Sequence, residues 1–380
     1  MAGVLVSANE GVTVPAEPSI VVDARMIESS GIDTYVRNMV PRLIAARPTW
    51  RFTLLGDPDR LASAGLTELP NARLRACRAP VYSAREQIAF ATPSVRRADL
   101  FWAPHYNAPL TATRRLIVTM HDVMHLTLPE YARRWAHRRY ATLMYAAVRR
   151  RASAMICNSA FTRSELRRVV GEHPSMHVVH LGVDPSWFFA RPAPSDGPSA
   201  RPYVVFVGLG KPHKNLVGLL RAFASIRDRV PHDLLVLGAN RPALRTSDRG
   251  IDAAAAALGD RLRFVDRLAL SSLQQWVAGA DALVQPSFCE GFGLPPLEAM
   301  AAGTPCLVSR IPPLVEVCAN AACYCDPHDP NDIAERLVQL LGSAEIRREL
   351  RCRGRERARG FSWDRTVEET LVIFEQVLAS

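Results

Sequence analysis

The chain has 380 residues, 48% of them apolar and 22% charged, the composition of a soluble globular protein long enough to bury two cores. A net charge of +10 suits an anionic partner, but only 7% of residues are aromatic and they do not interleave with basic ones, so nucleic acid is not expected as that partner. No run approaches the roughly 20 apolar residues of a membrane-spanning helix, Glu10 and Pro15 interrupt any secretory pattern, and eight irregularly spaced cysteines without a Cys-x-x-Cys pair fit reduced thiols in a cytoplasmic setting.

Short apolar runs alternate with helical patterns along the chain. Strands are expected at 20–24, 51–56, 73–77, 100–103, 115–120, 154–158 and 177–181 in the first half. In the second half they are expected at 203–207, 233–238, 261–265, 281–286, 304–309 and 321–325. Helical patterns fall at 33–46, 132–152, 161–170, 215–229, 271–279, 296–302, 331–342 and 344–359. Repeated strand–helix alternation argues an α/β fold with parallel, doubly wound sheets. Residues 191–202, rich in Pro, Ser and Gly, have no periodicity and read as a linker. The expected division is therefore 1–190, linker 191–202, and 203–361, with a C-terminal helix over 362–380 crossing back to the first domain. Two such domains would face each other across a cleft, with the chemistry in the strand-to-helix loops.

Of 47 basic side chains only two are lysines, Lys211 and Lys214, both in the loop Gly208-Leu209-Gly210-Lys211-Pro212-His213-Lys214-Asn215. A chain that otherwise uses arginine keeps lysine where a compact point charge on a flexible stem is needed. The loop joins the apolar run 203–207 to a helical pattern, and a strand, a glycine turn with cations and a helix start make a phosphate site in physical terms. The alternative is an ordinary turn with solvated lysines.

The most specific segment runs from Pro286 to Pro305. Glu290 sits in a loop, and Gly291 and Gly293 allow a ligand close to the backbone. Pro295 and Pro296 preset a first helical turn, which places Glu298 near a helix N-terminus that favours an anion. Two carboxylates beside a phosphate cradle fit a ligand with phosphate and polyol parts, a nucleotide sugar. Glu298 alone also reads as a residue that merely satisfies the helix dipole.

Glu290 and Glu298, with seven residues between them, resemble the Glu-x7-Glu signature of retaining family 4 glycosyltransferases of the GT-B fold. The loop 208–215 is similar to that family's diphosphate loop, and 157–166 and 180–184 resemble its inter-domain segments. The resemblance implies two Rossmann-like domains and, as the catalytic group, His121, Lys214 and Glu290. It implies that Glu290 binds donor-sugar hydroxyls, that Glu298 binds the ribose, and that Lys214, aided by Lys211, neutralises the leaving diphosphate. Gly208 belongs to the same loop, amides near Phe292, Gly293 and Leu294 complete the cradle, and Leu268 lies near the base. Asp266 and Arg267 depart from the small and aromatic residues frequent there, which leaves the base open.

In the first half, Ser29-Ser30-Gly31-Ile32-Asp33 resembles the family's N-terminal glycine loop, with Gly31 approaching the donor phosphates. Asp33 stands where a second glycine is common, so it turns away from the diphosphate or serves the acceptor or a helix cap. His121 and Asp122, at a strand's carboxyl end, are implied near the donor sugar and the acceptor. Tyr82, Glu86 and Asn158 are further acceptor-side candidates. Asp57-Pro58-Asp59 reads as a turn after a strand, and no catalytic metal or cofactor is expected. The basic helical stretch 133–151 would turn Leu143, Met144 and Ala147 to the core and its arginines outward, either to solvent or to anionic lipid on the inner face of the cytoplasmic membrane. The expected reaction is hexose transfer with retention to a glycan or polyprenyl-linked acceptor, GDP-mannose being favoured as donor and a UDP-sugar second. A sugar phosphorylase on the same fold, and a sugar-nucleotide-binding protein that has lost catalysis, are the alternatives.

Overall fold

The central strands are uninterrupted apolar runs, the pattern of parallel sheets covered on both faces. The computed structural model describes residues 17–27, 31–83, 85–111, 113–128, 135–193, 198–238 and 250–380. Seven strands form one sheet: β1 (Ser19–Asp23), β2 (Arg51–Gly56), β3 (Ala72–Ala76), β4 (Leu100–Ala103), β5 (Leu116–Met120), β6 (Ala154–Cys157) and β7 (Met176–Val178), in the order β3-β2-β1-β4-β5-β6-β7. Six form a second: β8 (Tyr203–Val207), β9 (Asp233–Leu237), β10 (Leu262–Val265), β11 (Ala282–Gln285), β12 (Cys306–Ser309) and β13 (Cys323–Cys325), in the order β10-β9-β8-β11-β12-β13. The pairings described are parallel in both sheets. β4, β5, β6 and β9 are buried at every position, whereas the edge strands β3 and β7 are only partly covered.

Each sheet runs outward from its first strand, then reverses. The reversal lies between β1 and β4 in one sheet and between β8 and β11 in the other. A crevice opens at the carboxyl ends of the strands at such a point, and ligands of open α/β sheets bind there.

Helices cover the sheets through apolar stripes. In Leu216–Ile226 the residues Leu216, Leu219, Leu220, Phe223 and Ile226 recur at helical spacing and are buried against β8, β9 and β11. Asn215 starts this helix from a left-handed conformation (φ 56°), and its Oδ1 accepts the Gly218 amide at 3.2 Å. The C-terminal helix Trp363–Ala379 packs its Phe374 edge-on against Trp102 of β4, with ring centroids 5.6 Å apart, and its Thr366 Oγ1 donates to the His180 carbonyl. Phe374 is fully buried, and Phe374→Ala would cost about 3–5 kcal/mol.

The chain divides into one unit of 1–158, 163–180 and 364–380 and another of 159–162 and 181–363. Apart from 159–162, the chain passes into the second unit at Leu181, ahead of the Pro-rich stretch 191–202 expected to mark the boundary. The reason is the short turn Pro185–Phe189, capped by Asp184, whose Trp187 is buried and whose neighbour Ser186 accepts a hydrogen bond from Gln274. Part of the linker, 194–197, lies outside the described residues.

The short helices Pro58–Ser63, Arg85–Phe90, Pro93–Arg97, Met124–Thr127, Gly250–Ala256 and Pro312–Cys318 were not expected; most are too short to show a period. In Trp135–Arg151 the buried positions include Ala141, Met144, Tyr145 and Val148, while Leu143 is 69% exposed. The expectation that Leu143 faces the core is thus corrected, because the i, i+3, i+4, i+7 stripe starts at Ala141 and leaves Leu143 on the other side. Residues 133 and 134 of that stretch lie outside the described residues. Among the described residues no helix is long and apolar enough to cross a membrane.

Candidate functional site

The loop after β8 is shaped by Gly208 (φ 152°) and Gly210 (φ 63°). It then tightens into the turn Pro212–Lys214, in which the Lys214 amide donates to the Lys211 carbonyl at 2.8 Å. Asn215 locks the end of the turn, its Nδ2 donating to the Pro327 carbonyl at 2.7 Å. Lys211 stays exposed and Lys214 is half-buried. The loop after β11, the neighbouring strand at the reversal, carries Glu290. Lys214 Nζ donates to Glu290 Oε1 at 2.7 Å and to Oε2 at 2.9 Å. Glu290 Oε1 also accepts from Ser287 Oγ at 2.7 Å and Gln285 Nε2 at 3.1 Å. Burial would raise the Glu290 carboxyl, but the Lys214 ammonium and these hydrogen bonds hold it below its ordinary value. Gln285 and Ser287 were missed in the sequence; their signal was polar side chains at the carboxyl end of an apolar strand.

The helix Leu294–Ala302 starts at Gly293, whose φ of 118° no other residue adopts easily. A Cβ there would sit 2.6 Å from Leu314 Cδ2. Pro295 and Pro296 have no N–H, and the Leu297 amide donates to the Gly293 carbonyl at 3.2 Å. The anion-binding capacity of this helix start therefore rests on the Gly293 and Leu294 amides, fewer donors than an ordinary helix end offers. Phe292 is buried and meets Phe361 edge-on. Gly291 is anchored through its carbonyl, which accepts from Ser159 Oγ at 2.7 Å and Thr162 Oγ1 at 3.2 Å.

Glu298 lies one turn into that helix. Desolvation, and then the charge of Asp184, push its carboxyl up to about 8. It therefore carries its proton at neutral pH and does not repel an anion at the helix start. Leu268 is half-buried in the loop after β10.

In the first unit, the reversal between β1 and β4 holds a closed network. Asp23 ends β1, and Arg25 follows it with Nε and Nη2 on the Asp23 carboxylate at 2.8 and 2.7 Å. Arg25 Nη2 also reaches Glu86 Oε2 at 3.1 Å. Glu86 Oε1 accepts from Asn107 Nδ2 at 2.6 Å and Tyr140 OH at 2.5 Å. His105 receives the Asn107 amide on Nδ1, so its Nε2 bears the proton that faces Asp23 Oδ2 at 3.2 Å. Burial alone would raise Asp23, but Arg25 and His105 hold its carboxyl well below the usual range. Of these residues only Glu86 was singled out in the sequence, as an acceptor-side candidate; it is wholly buried within the network.

The remaining first-unit candidates are spread around this network. Gly31 opens the helix Gly31–Ala46 and is exposed; Ser29 and Ser30 lie outside the described residues. Asp33 is buried and pairs with Arg37 Nε at 2.7 Å, one turn on. His121 donates from Nε2 to the Pro104 carbonyl at 2.8 Å and meets Tyr35 edge-on; desolvation lowers it to about 4. Asp122 Oδ1 accepts the Met124 amide at 2.9 Å. Tyr82 has a left-handed backbone (φ 64°), lies against Tyr106 with centroids 5.4 Å apart and is 38% exposed. Asn158 is buried at the end of β6, with Oδ1 unpartnered. Asp57 caps the helix Pro58–Ser63 and, with Asp59, binds Arg78, so the Asp-x-Asp segment read as a turn is a helix start.

Two family profiles match the chain: Glycosyltransferase Family 4 over residues 29–187 and Glycosyl transferases group 1 over 191–357. The chain is 27% identical over 284 residues to the O-antigen chain mannosyltransferase B of Escherichia coli, covering 71% of each protein. It is 34% identical over 229 residues to a D-inositol 3-phosphate glycosyltransferase of Salinispora tropica, covering 54% of this chain and 46% of that protein. Among solved structures it is similar to Anabaena Alr3699/HepE in complex with UDP and glucose (TM-score 0.74, 17% identity), over 95% of this chain and 100% of that one.

Proposed function

The chain is a GT-B glycosyltransferase of the family 4 type, and from that premise we propose that it moves a hexose from a nucleoside-diphosphate sugar to a hydroxyl with retention of configuration. The observation that carries this reading is the Lys214–Glu290 pair at the β8/β11 reversal, beside the Gly293 helix start. It sets a cation where a diphosphate needs one and a carboxylate where hydroxyls need an acceptor. As the bond from the sugar's anomeric carbon to the β-phosphate oxygen breaks, charge grows on that oxygen. Lys214 and the Gly293 and Leu294 amides stabilise it. The acceptor oxygen bonds to the same face of the anomeric carbon and passes its proton to the departing phosphate oxygen. No protein nucleophile is required, and Lys214 supplies charge that a divalent metal would otherwise bring.

Mannose from GDP-mannose is the favoured donor, supported by the E. coli mannosyltransferase relative; a UDP-sugar is second, supported by the UDP-bound Anabaena structure. The acceptor is a glycan or polyprenyl-linked hydroxyl, reached from the cytoplasm at the inner face of the membrane. The basic face of Trp135–Arg151 and the exposed Leu143 fit such a surface. Incubation with a panel of nucleoside-diphosphate sugars, with and without EDTA, tests this by mass spectrometry of the released nucleotide. GDP from GDP-mannose, insensitive to EDTA, is expected. Turnover that needs free phosphate and no nucleotide would identify a phosphorylase instead.

A further inference from the structure

Lys214 spends two of its three ammonium hydrogens on a single carboxylate, and both partners are largely withdrawn from water, with side chains 17% and 8% exposed. The two ends differ in freedom. Glu290 is pinned by Ser287 Oγ and Gln285 Nε2, whereas Lys214 projects on a four-carbon stem from the turn after β8. Gln285, itself fully buried, leaves Oε1 unpartnered at the other end of the amide that holds Glu290. Any diphosphate that recruits Lys214 must take it from a carboxylate that cannot follow.

We propose that Glu290 acts as an internal competitor for Lys214, so that the site selects the sugar-bearing donor over the sugar-free nucleoside diphosphate and expels the latter as product. The inference rests on the assignment of Lys214 to the diphosphate and of Glu290 to the sugar. A nucleotide sugar compensates the exchange, because its hydroxyls donate to the Glu290 oxygens that Lys214 gives up. A bare nucleoside diphosphate offers no such donors. It leaves a buried carboxylate short of partners and adjacent to new negative charge, an arrangement that is strongly unfavourable. Once the hexose has left with the acceptor, Glu290 regains its claim on Lys214 and the diphosphate is weakened in its site.

Calorimetric titration of GDP and UDP into the full chain tests this with wild type, Glu290→Gln, Lys214→Met and the double variant. Glu290→Gln is expected to bind whichever diphosphate the wild type prefers about tenfold more tightly, while turning over donor more slowly. Lys214→Met is expected to bind it more weakly, and in that background Glu290→Gln should give little further gain. Binding by Glu290→Gln that is unchanged or weaker, with Lys214→Met still impaired, overturns the competitor role and leaves the diphosphate assignment standing. Unchanged binding by Lys214→Met overturns the assignment itself. If Glu290→Gln does not fold, Ser287→Ala takes its place. It loosens the carboxylate without removing charge, so a tightening of about two- to threefold is expected, and weaker or equal binding counts against the proposal.

Discussion

Both sheets reverse their strand order beside their first strand, yet the two crevices are furnished in opposite ways. Between β1 and β4, Arg25 bridges Asp23 and Glu86, and His105, Asn107 and Tyr140 satisfy what remains. Its planar fork spreads over two carboxylates, and Phe90 lies under the guanidinium at 4.5 Å. Between β8 and β11 a single lysine faces a single glutamate beside glycines that leave the backbone open. A chain that uses arginine almost everywhere thus closes one crevice with it and keeps the other exchangeable with lysine. The same topology yields a fixed support in one unit and the proposed ligand site in the other, and the choice of cation distinguishes the two.

The largest effect should come from breaking the fixed network. Arg25→Met strands two buried carboxylates and should cost about 3–5 kcal/mol of stability, read by chemical denaturation. A loss near zero would mean that the network is no more permanent than the Lys214 pair. Lys214→Ala should instead lower turnover by about two to three orders of magnitude, the scale of one electrostatic contact to a developing anion. Comparable losses of turnover from a substitution such as Arg229→Ala, whose exposed pair with Glu335 lies beyond the far end of the helix Leu216–Ile226, would dissolve the distinction.

Glu298→Gln should weaken nucleoside diphosphate and donor alike, by about 0.5–1.5 kcal/mol, as loss of a neutral hydrogen-bonding acid does. Because its carboxyl is raised to about 8, wild-type affinity should fall as pH rises through that value, where a negative charge appears beside the diphosphate, and the variant's should not. The same raised value also bears on stability. The folded chain holds this proton more tightly than the unfolded one, so the contribution is complete below about 4.5 and is lost as pH rises to about 8. Melting temperature of wild type relative to Glu298→Gln should fall across that window; a rising difference would refute the burial of an unpaired acid.

The alternation of strands and helices was legible because each parallel strand is an apolar run bounded by turn residues; Leu234-Leu235-Val236-Leu237 permits little else. The second-unit loops were legible because glycines and the only two lysines cluster within a few positions. The first-unit network was not. It joins positions 2, 61 and 82 residues apart, and Arg25 is one arginine among many. Only the placement of Asp23 and Arg25 at the end of β1 hinted at it. Nor could spacing reveal that Glu298 would lie near Asp184, because that neighbour arrives from a turn far along the chain. Leu143 misled because its four-residue spacing to Ala147 looked like a core stripe, whereas the stripe that is buried runs through Ala141, Met144, Tyr145 and Val148 and leaves Leu143 on the far side and Ala147 half-buried.

The most direct test of the account is the turnover of Lys214→Arg with the donor identified by the nucleotide-sugar screen. Charge is retained, but a guanidinium matches both Glu290 oxygens as a fork and is held by them. The account predicts an intact fold with turnover reduced by about tenfold or more. Wild-type turnover in that variant would contradict the claim that the site depends on a cation able to change partners.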